Sequence, residues 1–262
     1  MQFSIKYINI LGIKFLINEK WFKTMRFALL KEQKVFFQKH GFVEFESILS
    51  DQQVDKLLEA LEIVLAERLK KTSKGFAKCS IEEAFLRGRD TWRDNDFVKK
   101  NIFKSSLANL ASELMGEGSL RLAYDQFLMS GKRAGLEKPQ IPSFSHLVGE
   151  ETFTLNEVSG FQGKLCGLLL CLCDSSCEES SNRDEKFLPS TKGSGVYFCG
   201  EIPLSYRFLL HGVNQRYLLI VYSENRTQYV LREADPHTYA LKRYGYTYGD
   251  VLREKYHPLV CR

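Results

Sequence analysis

The chain has 262 residues, of which 44% are hydrophobic and 26% are charged, and its formal net charge is +5. This length and composition favour one folded domain with a sizeable core and exclude a disordered or fibrous protein. Basic residues are spread without a Lys/Arg block, and the seven cysteines form no disulfide framework, so we expect neither nucleic-acid binding nor secretion, and we predict a cytoplasmic protein.

Residues 1–24 are apolar with lysines between them. Lys6 and Lys14 interrupt any run long enough for a signal-peptide core, and we expect no transmembrane segment. We interpret these residues as an arm outside the single domain predicted for residues 25–262. The arm is either a disordered extension or a stretch ahead of a true start at Met25, and weak membrane contact stays open.

Apolar residues recur at three- and four-residue spacing in the first half of the chain, which predicts helices. The most distinct helix covers residues 51–70 and begins with a capping box, in which Ser50 and Gln53 exchange hydrogen bonds. The other predictions for this half are a helix at 26–39 stopped by Gly41, a short strand at 42–48, a helical turn at 81–86, an irregular crossing segment at 88–95 and a helix at 96–115 stopped by Gly116.

The second half of the chain is predicted to be mainly strands. Residues 165–172 are apolar apart from Gly167 and too few to cross a bilayer, so they predict a strand buried on both faces. The acidic, serine-rich stretch 175–185 must be a loop, and so must 131–143, which holds two glycines and two prolines. The other predicted strands lie at 120–130, 144–148, 152–155, 193–198, 206–210, 216–222 and 227–232, before a tail of helical turns and loop at 235–262.

Three stretches carry a resemblance to a known family. Residues 35–58 read V-F-F-Q-K-H-G-F-V-E-F-E-S-I-L-S-D-Q-Q-V-D-K-L-L, and residues 110–132 read L-A-S-E-L-M-G-E-G-S-L-R-L-A-Y-D-Q-F-L-M-S-G-K. With the apolar stretch G-L-L-L-C-L-C-D, they resemble the phytanoyl-CoA dioxygenase-like branch of the iron(II) and 2-oxoglutarate-dependent oxygenases. The resemblance implies an α+β fold: a double-stranded β-helix, the jelly-roll barrel of cupins, with the N-terminal helices packed on the outside.

The resemblance also implies a metal site. Enzymes of this family hold iron(II) with two His and one carboxylate and leave positions open for 2-oxoglutarate and oxygen. The expected H-x-D/E spacing is absent here, because Val148 stands two residues after His146. The resemblance then leaves His146, His211 and Glu150 as metal ligands, Arg216 or Arg226 as the arginine for the oxoacid carboxylate, and Tyr124 and Gln126 as further cofactor contacts. The alternative is that these histidines are ordinary loop or partly buried residues.

Two functions follow from these observations. One is a 2-oxoglutarate-dependent dioxygenase with an incomplete metal motif, which hydroxylates a small organic substrate. The other is a non-catalytic binding or interaction protein on the same scaffold, whose loops at 131–143 and 175–185 contact a protein partner. Other chemistry finds no support, because the sequence has no G-x-S-x-G nucleophile elbow and the glycines at 193 and 195 lack the lysine of a phosphate-binding loop.

Overall fold

The computed structural model describes residues 5–10, 13–18, 29–70, 79–130, 140–149, 152–173, 188–189, 191–211 and 215–261, with the backbone alone for 5–10, 13–18, Phe208 and His211. Glu150, the predicted acidic loop at 175–185 and most of the predicted loop at 131–143 lie outside the described residues. In the described part of the chain, no helix is long and apolar enough to cross a membrane.

Helices dominate the first half of the chain and strands the second, as predicted. The elements are β1 Ile5–Ile10, β2 Ile13–Asn18, α1 Lys31–His40, β3 Phe42–Phe45, α2 Asp51–Leu69, α3 Ile81–Arg87, α4 Asp96–Ile102, α5 Ser105–Met115, β4 Leu120–Met129, α6 Pro142–Leu147, α7 Leu155–Val158, β5 Phe161–Gln162, β6 Leu165–Cys171, β7 Gly195–Cys199, α8 Tyr206–His211, β8 Arg216–Glu224, β9 Gln228–Tyr229 and β10 Leu259–Cys261. Short 3-10 helices cover Thr91–Arg93 and Ala240–Tyr244. In the N-terminal arm, β1 and β2 pair as an antiparallel hairpin.

Local capping chemistry explains where the first helices begin and end. The Ser50 hydroxyl accepts the N–H of Gln53 at 3.4 Å, and the Gln53 side chain accepts the N–H of Ser50 at 3.0 Å, so the predicted capping box is confirmed. Helix α1 ends at Gly41, whose φ of 77° is a left-handed conformation that glycine adopts readily. The single helix predicted at 96–115 is instead two, because Lys104 is extended and separates α4 from α5.

One six-stranded antiparallel sheet organises the fold. Its order is β10-β4-β8-β6-β7-β3, which places β6 between β8 and β7. Every residue of β6 is buried, so the prediction of a central strand buried on both faces is confirmed. Strand β10, in the tail predicted as turns and loop, pairs with the start of β4. Strands β5 and β9 form a separate two-stranded sheet.

The large sheet has two apolar faces. The first, here called the helical face, packs against α1, α2, α4 and α5, and its buried cluster includes Leu61, Ile102, Leu107, Leu168 and Ile220. The second, here called the inner face, packs against β5, β9, α8 and the chain after β9, and its cluster includes Leu169, Phe161, Leu209, Val221, Tyr229 and Tyr246. Helices α1, α2, α4 and α5 therefore cover one face of the sheet, whereas the double-stranded β-helix stays a prediction.

Two predicted strands are wrong, because the structure forms helices there, and a third is reduced to a single bridge. Pro142 stands at the first residue of α6, where its fixed φ suits a helix and its missing N–H costs nothing. Thr154 and Glu157 form a capping box that starts α7. Tyr206 and Leu209 lie one helical turn apart in α8, and both are buried. The strands predicted at 144–148 and 206–210 are thus helices, whereas the strand predicted at 152–155 is reduced to an antiparallel bridge between Phe153 and Leu204, just before α7.

Candidate functional site

An irregularity in β4 decides which of its side chains face the inner side of the sheet. The register with β8 shifts between Leu122 and Tyr124, so Ala123 is an extra residue in β4. Such a bulge reverses the alternation of side chains along the rest of the strand. Leu122 accordingly belongs to the helical-face cluster and Tyr124 to the inner-face cluster. Gln126, two residues further, also lines a cavity on the inner face.

Arg68, at the end of α2, holds the crossing segment (residues 88–95) against the sheet. Its guanidinium donates to the carbonyl oxygens of Arg87, Arg89 and Asp90 at 2.7, 2.5 and 2.9 Å. Its Nε pairs with the carboxylate of Asp94 at 2.6 Å. The five donors of a planar guanidinium allow one side chain to serve all these acceptors. The backbone of the same segment is bridged to β4.

Asp125 of β4 holds the crossing segment from another direction. Its carboxylate accepts the N–H groups of Thr91 and Trp92 at 2.9 and 3.3 Å, and also the Thr91 hydroxyl. The side chain is fully buried, and burial, together with the nearby Asp90, raises its pKa to about 7. The contacts of Asp125 and Arg68 hold the crossing segment in place, and they thereby position Arg89 at the inner face.

A buried ion pair occupies the centre of the inner face. The guanidinium carbon of Arg89 lies 3.7 Å from the centroid of the Tyr124 ring, which is a cation–π contact. Arg89 Nη1 lies 3.3 and 3.5 Å from the two carboxylate oxygens of Asp235. These oxygens also accept the N–H groups of Gly160 at 2.9 Å and His237 at 2.8 Å. Burial raises the pKa of Asp235. Burial acts to lower the pKa of Arg89, but the charge of Asp235 and its neighbours leaves that pKa raised.

Two small cavities flank this ion pair. Their volumes are about 10 and 20 Å³, which is room for roughly one water molecule each. Arg89, Tyr124 and Asp235 line both cavities, so these three side chains separate one from the other. The polar side chains that line only one of them are Gln126 and Tyr206 in the first cavity and Asp90, Tyr229, His237 and His257 in the second.

Several polar atoms of residues that line the cavities have no hydrogen-bond partner among the described residues: Arg89 Nε, Asp90 Oδ1, Gln126 Oε1, His237 Nε2 and His257 Nε2. A buried polar group that makes no hydrogen bond costs about 1–3 kcal/mol, so such groups are uncommon in folded proteins. One donor and several acceptors therefore face small shared spaces. This arrangement is typical of a site that takes up water or a small polar ligand.

Two histidines and a tyrosine around the cavities, unlike the Arg89–Asp235 ion pair, are held in their neutral forms. His257 Nδ1 lies 2.9 Å from the carbonyl oxygen of Ala123, and because a carbonyl only accepts, Nδ1 carries the proton and Nε2 is an acceptor. Burial lowers the pKa of His257 to about 4. Burial and then Arg89 lower the pKa of His237 well below its usual value. Burial also raises the pKa of Tyr124 to about 12, so its phenol stays protonated.

The structure brings Tyr124 and Gln126 together but places Arg216 elsewhere. Arg216 begins β8, and its Nε lies 3.5 Å from the carboxylate of Glu62 on α2. It therefore lies on the helical face, on the opposite side of the sheet from the two inner-face residues. Arg226, the other candidate for the oxoacid carboxylate, is exposed in the turn after β8.

The predicted iron ligands are not assembled by the described residues. His146 lies on α6, is exposed, and packs its ring edge-on against Phe153 with centroids 4.9 Å apart. His211 is the last residue of α8, and only its backbone is described; Glu150 lies outside the described residues. The assignment of these three residues to a metal site therefore stays a prediction.

The chemistry of the described donors suits an acid better than a metal ion. Within the described ranges, no three His, Cys, Asp or Glu side chains lie close enough together to bind a metal. The guanidinium of Arg89 lines both cavities and pairs with Asp235, and its positive charge repels a metal cation. The described part of the site does not fit two His and one carboxylate around iron. A guanidinium and protonated phenols are hydrogen-bond donors, and they fit a carboxylate ligand.

Sequence reasoning missed Arg89, Asp235, His237 and His257. The ion pair joins residues 146 positions apart, so no local spacing reveals it. One signal was present in the crossing segment: a Cβ on Gly88 would lie 2.5 Å from a backbone oxygen of β4, so glycine there permits close approach to the sheet. A glycine next to an arginine in a polar stretch could have marked this segment as part of the sheet.

Solved structures share this fold. The chain is similar to the non-heme alpha ketoglutarate dependent carbocyclase SnoK from nogalamycin biosynthesis, with 14% identity, a TM-score of 0.62 and coverage of 90% of this chain and 98% of that chain. It is similar to the epimerase SnoN in complex with Fe3+, alpha ketoglutarate and nogalamycin RO (13% identity, TM-score 0.60, 88% and 98% covered). It is also similar to CytC3 with Fe(II) and alpha-ketoglutarate (14% identity, TM-score 0.53, 89% and 88% covered).

No family model matches the sequence, and no curated protein does either. The structural likeness extends over nearly the whole length of SnoK and SnoN, so it concerns the complete fold and not one motif. The chain therefore has the fold of non-heme iron and 2-oxoglutarate-dependent enzymes, while the phytanoyl-CoA dioxygenase-like branch rests on the sequence resemblance alone.

Proposed function

We propose that this chain is an oxygenase-like protein that binds a small organic acid at the inner face of its sheet, with Arg89 as the partner of the acid's carboxylate. The observation that carries the proposal is a buried guanidinium whose Nε has no partner within the described residues and which lines two cavities. A charge-assisted hydrogen bond to a carboxylate would satisfy that donor, and such bonds are about twice as strong as neutral ones.

Neighbouring groups favour the same class of ligand. Tyr124 and Tyr206 are buried phenols whose pKa values are raised by burial, so both are available as donors to an anionic oxygen. Gln126 donates its own N–H to the carbonyl of Phe85 at 2.9 Å, which leaves its Oε1 to accept from a ligand hydroxyl or water. The site thus offers donors for a carboxylate and one acceptor beside them.

The first acid to test is 2-oxoglutarate. SnoN and CytC3 are structures with alpha ketoglutarate bound, and their fold is the fold of this chain. The two cavities hold only about one water molecule each. The acid can therefore enter only when a side chain between the cavities moves aside.

A second candidate function is a 2-oxoglutarate-dependent dioxygenase, favoured by the iron in the SnoN and CytC3 structures. Its predicted ligands are His146, His211 and Glu150, two of which lie beyond the described side chains. Bound iron would supply the oxidising centre for hydroxylation of a small organic substrate. In that case Arg89 would orient the 2-oxoglutarate and the phenols would keep water away from it.

Calorimetric titration with 2-oxoglutarate separates the two candidates. Protein purified without chelator is titrated alone and with manganese(II), and the titration is repeated with Arg89→Met and with the His146→Ala/His211→Ala double variant. The proposal predicts binding without metal that weakens at least about tenfold in Arg89→Met and is unchanged in the double variant. Binding that requires metal and is lost in the double variant would favour the dioxygenase.

Arg216→Met is the matched control, because it removes a guanidinium from the opposite face of the same sheet and should leave the affinity unchanged. Circular dichroism confirms that each variant is folded. Absence of binding by the wild-type protein, or equal affinity in Arg89→Met, would refute the proposed role of Arg89.

A further inference from the structure

We propose that Asp235 is an internal ligand, whose carboxylate occupies the position on Arg89 that the carboxylate of an external acid takes. The inference rests on the proposed function and adds its regulation: the site is closed by the chain's own carboxylate, and acid binding is an exchange of one carboxylate for another.

The geometry of the ion pair suits an exchangeable contact. Asp235 meets Arg89 through Nη1 alone, at 3.3 and 3.5 Å, whereas charged pairs of this type are usually about 2.7–2.9 Å apart and often use two nitrogens in parallel. Arg89 Nε stays without a partner among the described residues. Asp235 therefore leaves part of the guanidinium unused, and a ligand carboxylate could engage it more completely.

The position of Asp235 between the two cavities points the same way. Asp235 lines both of them, together with Arg89 and Tyr124. When its side chain leaves, the two spaces and the volume of one carboxylate join into a single chamber. Removing the Asp235 side chain thus creates space next to the guanidinium of Arg89, whose Nε has no partner among the described residues.

The segment that carries Asp235 is a loop with hydrogen bonds of its own. It is the irregular loop of residues 231–239 between β9 and the second 3-10 helix. Hydrogen bonds within the loop hold its shape, from Arg232 N to Thr238 Oγ1 at 2.8 Å and from Asp235 N to the carbonyl of Arg232 at 3.2 Å. Tyr239 at its end is 62% exposed. The loop thus lies partly at the surface, and its inward contacts are those of Asp235, of the His237 ring with Phe85 and of the Thr238 carbonyl with the Tyr229 hydroxyl.

Chemical rescue tests the internal ligand directly. Asp235→Ala removes the carboxylate and leaves a space of that size beside Arg89. The thermal midpoint of this variant is measured against sodium formate, with sodium chloride of equal concentration as reference. We expect a saturable rise of roughly 5 °C that formamide does not reproduce, because formate binds only the folded form. No such rise is expected in the wild-type protein or in Glu62→Ala, which removes the partner of Arg216 on the helical face.

An Asp235→Ala variant that responds to formate no more than the wild-type protein does would overturn the inference. If that variant does not fold, Asp235→Asn, which keeps the shape of the side chain and removes its charge, replaces it. The inference then predicts that 2-oxoglutarate binds Asp235→Asn at least about tenfold more tightly than it binds the wild type. Equal or weaker binding, or none, counts against it.

The two proposals can fail separately. Formate rescue of Asp235→Ala without any binding of 2-oxoglutarate would retain the carboxylate position and refute the proposed acid. Binding of 2-oxoglutarate through Arg89, with affinity unchanged in the Asp235 variants and no formate rescue, would retain the proposed function and refute the internal ligand.

Discussion

Replacing His257 by asparagine is expected to weaken the loss of stability in acid. The pKa of His257 in the folded protein is about 4, whereas an unfolded histidine has a pKa of about 6.5. Because the folded value is depressed, this group contributes stability that is present above about pH 6.5 and is lost as the pH falls toward 4. A difference of about 2.5 pKa units corresponds to about 3 kcal/mol in the free energy of unfolding.

Asparagine is the informative replacement, because its amide nitrogen takes the place of Nδ1 and can still donate to the carbonyl of Ala123, while it does not titrate. Urea unfolding is followed for both proteins between about pH 8 and about pH 4. The cost of the substitution itself is read at about pH 8, where the imidazole is neutral in both states. The advantage of wild type over His257→Asn should then shrink by about 3 kcal/mol toward about pH 4. Parallel pH profiles would refute the reasoning.

Three further predictions concern the fold around the site. Gly167→Ala should destabilise the protein by about 2 kcal/mol, because its Cβ would lie 2.2 Å from the Phe198 ring; Gly118→Ala, with nothing within 4 Å, should stay within about 0.5 kcal/mol in the same urea titration. Arg68→Lys keeps the positive charge but loses the hydrogen bonds to three backbone carbonyls. The thermal midpoint should drop by the equivalent of about 3 kcal/mol, and amide hydrogen exchange should become faster in the crossing segment. Unchanged exchange would contradict the role of Arg68 in holding this segment. Ser50→Ala should lower the free energy of unfolding in urea by about 1 kcal/mol, whereas Ser50→Thr should keep most of that stability, because threonine can also cap the helix.

Features that depend on neighbouring residues could be predicted from the sequence. The capping box at Ser50 and the stop at Gly41 follow from hydrogen bonds and backbone conformations within a few residues. The central strand at 165–172 is evident because an uninterrupted apolar run of that length must be covered on both faces. These predictions need no knowledge of what the chain packs against.

Short segments with β-forming residues could not be assigned from the sequence, because five residues are too few to distinguish the period of a helix from that of a strand. Residues 206–210 read Y-R-F-L-L, which satisfies a strand as well as a helical turn. The segment is a helix in the structure, and this places Tyr206 and Leu209 together in the inner-face cluster. The choice is made by tertiary packing, which local propensity does not contain.

The resemblance supplied two positions that lie beside the ion pair. Tyr124 and Gln126 were predicted as cofactor contacts; both line the first cavity, and their role stays a prediction. The contact between Arg89 and Asp235 depends on the crossing segment and on a loop near the C-terminus. Its partners are chosen by the completed fold and leave no mark in local spacing.

The extra residue in β4 makes the chemistry of the site sensitive to chain length at one point. Deleting Ala123 would turn the remainder of that strand over, so that Asp125 would face the two cavities and Tyr124 would face the helices. A substitution at this position alters one side chain, whereas a change in residue count exchanges two surfaces. Relatives that keep the same cavities are thus expected to tolerate other residues at position 123, but no insertion or loss between Leu120 and Met129.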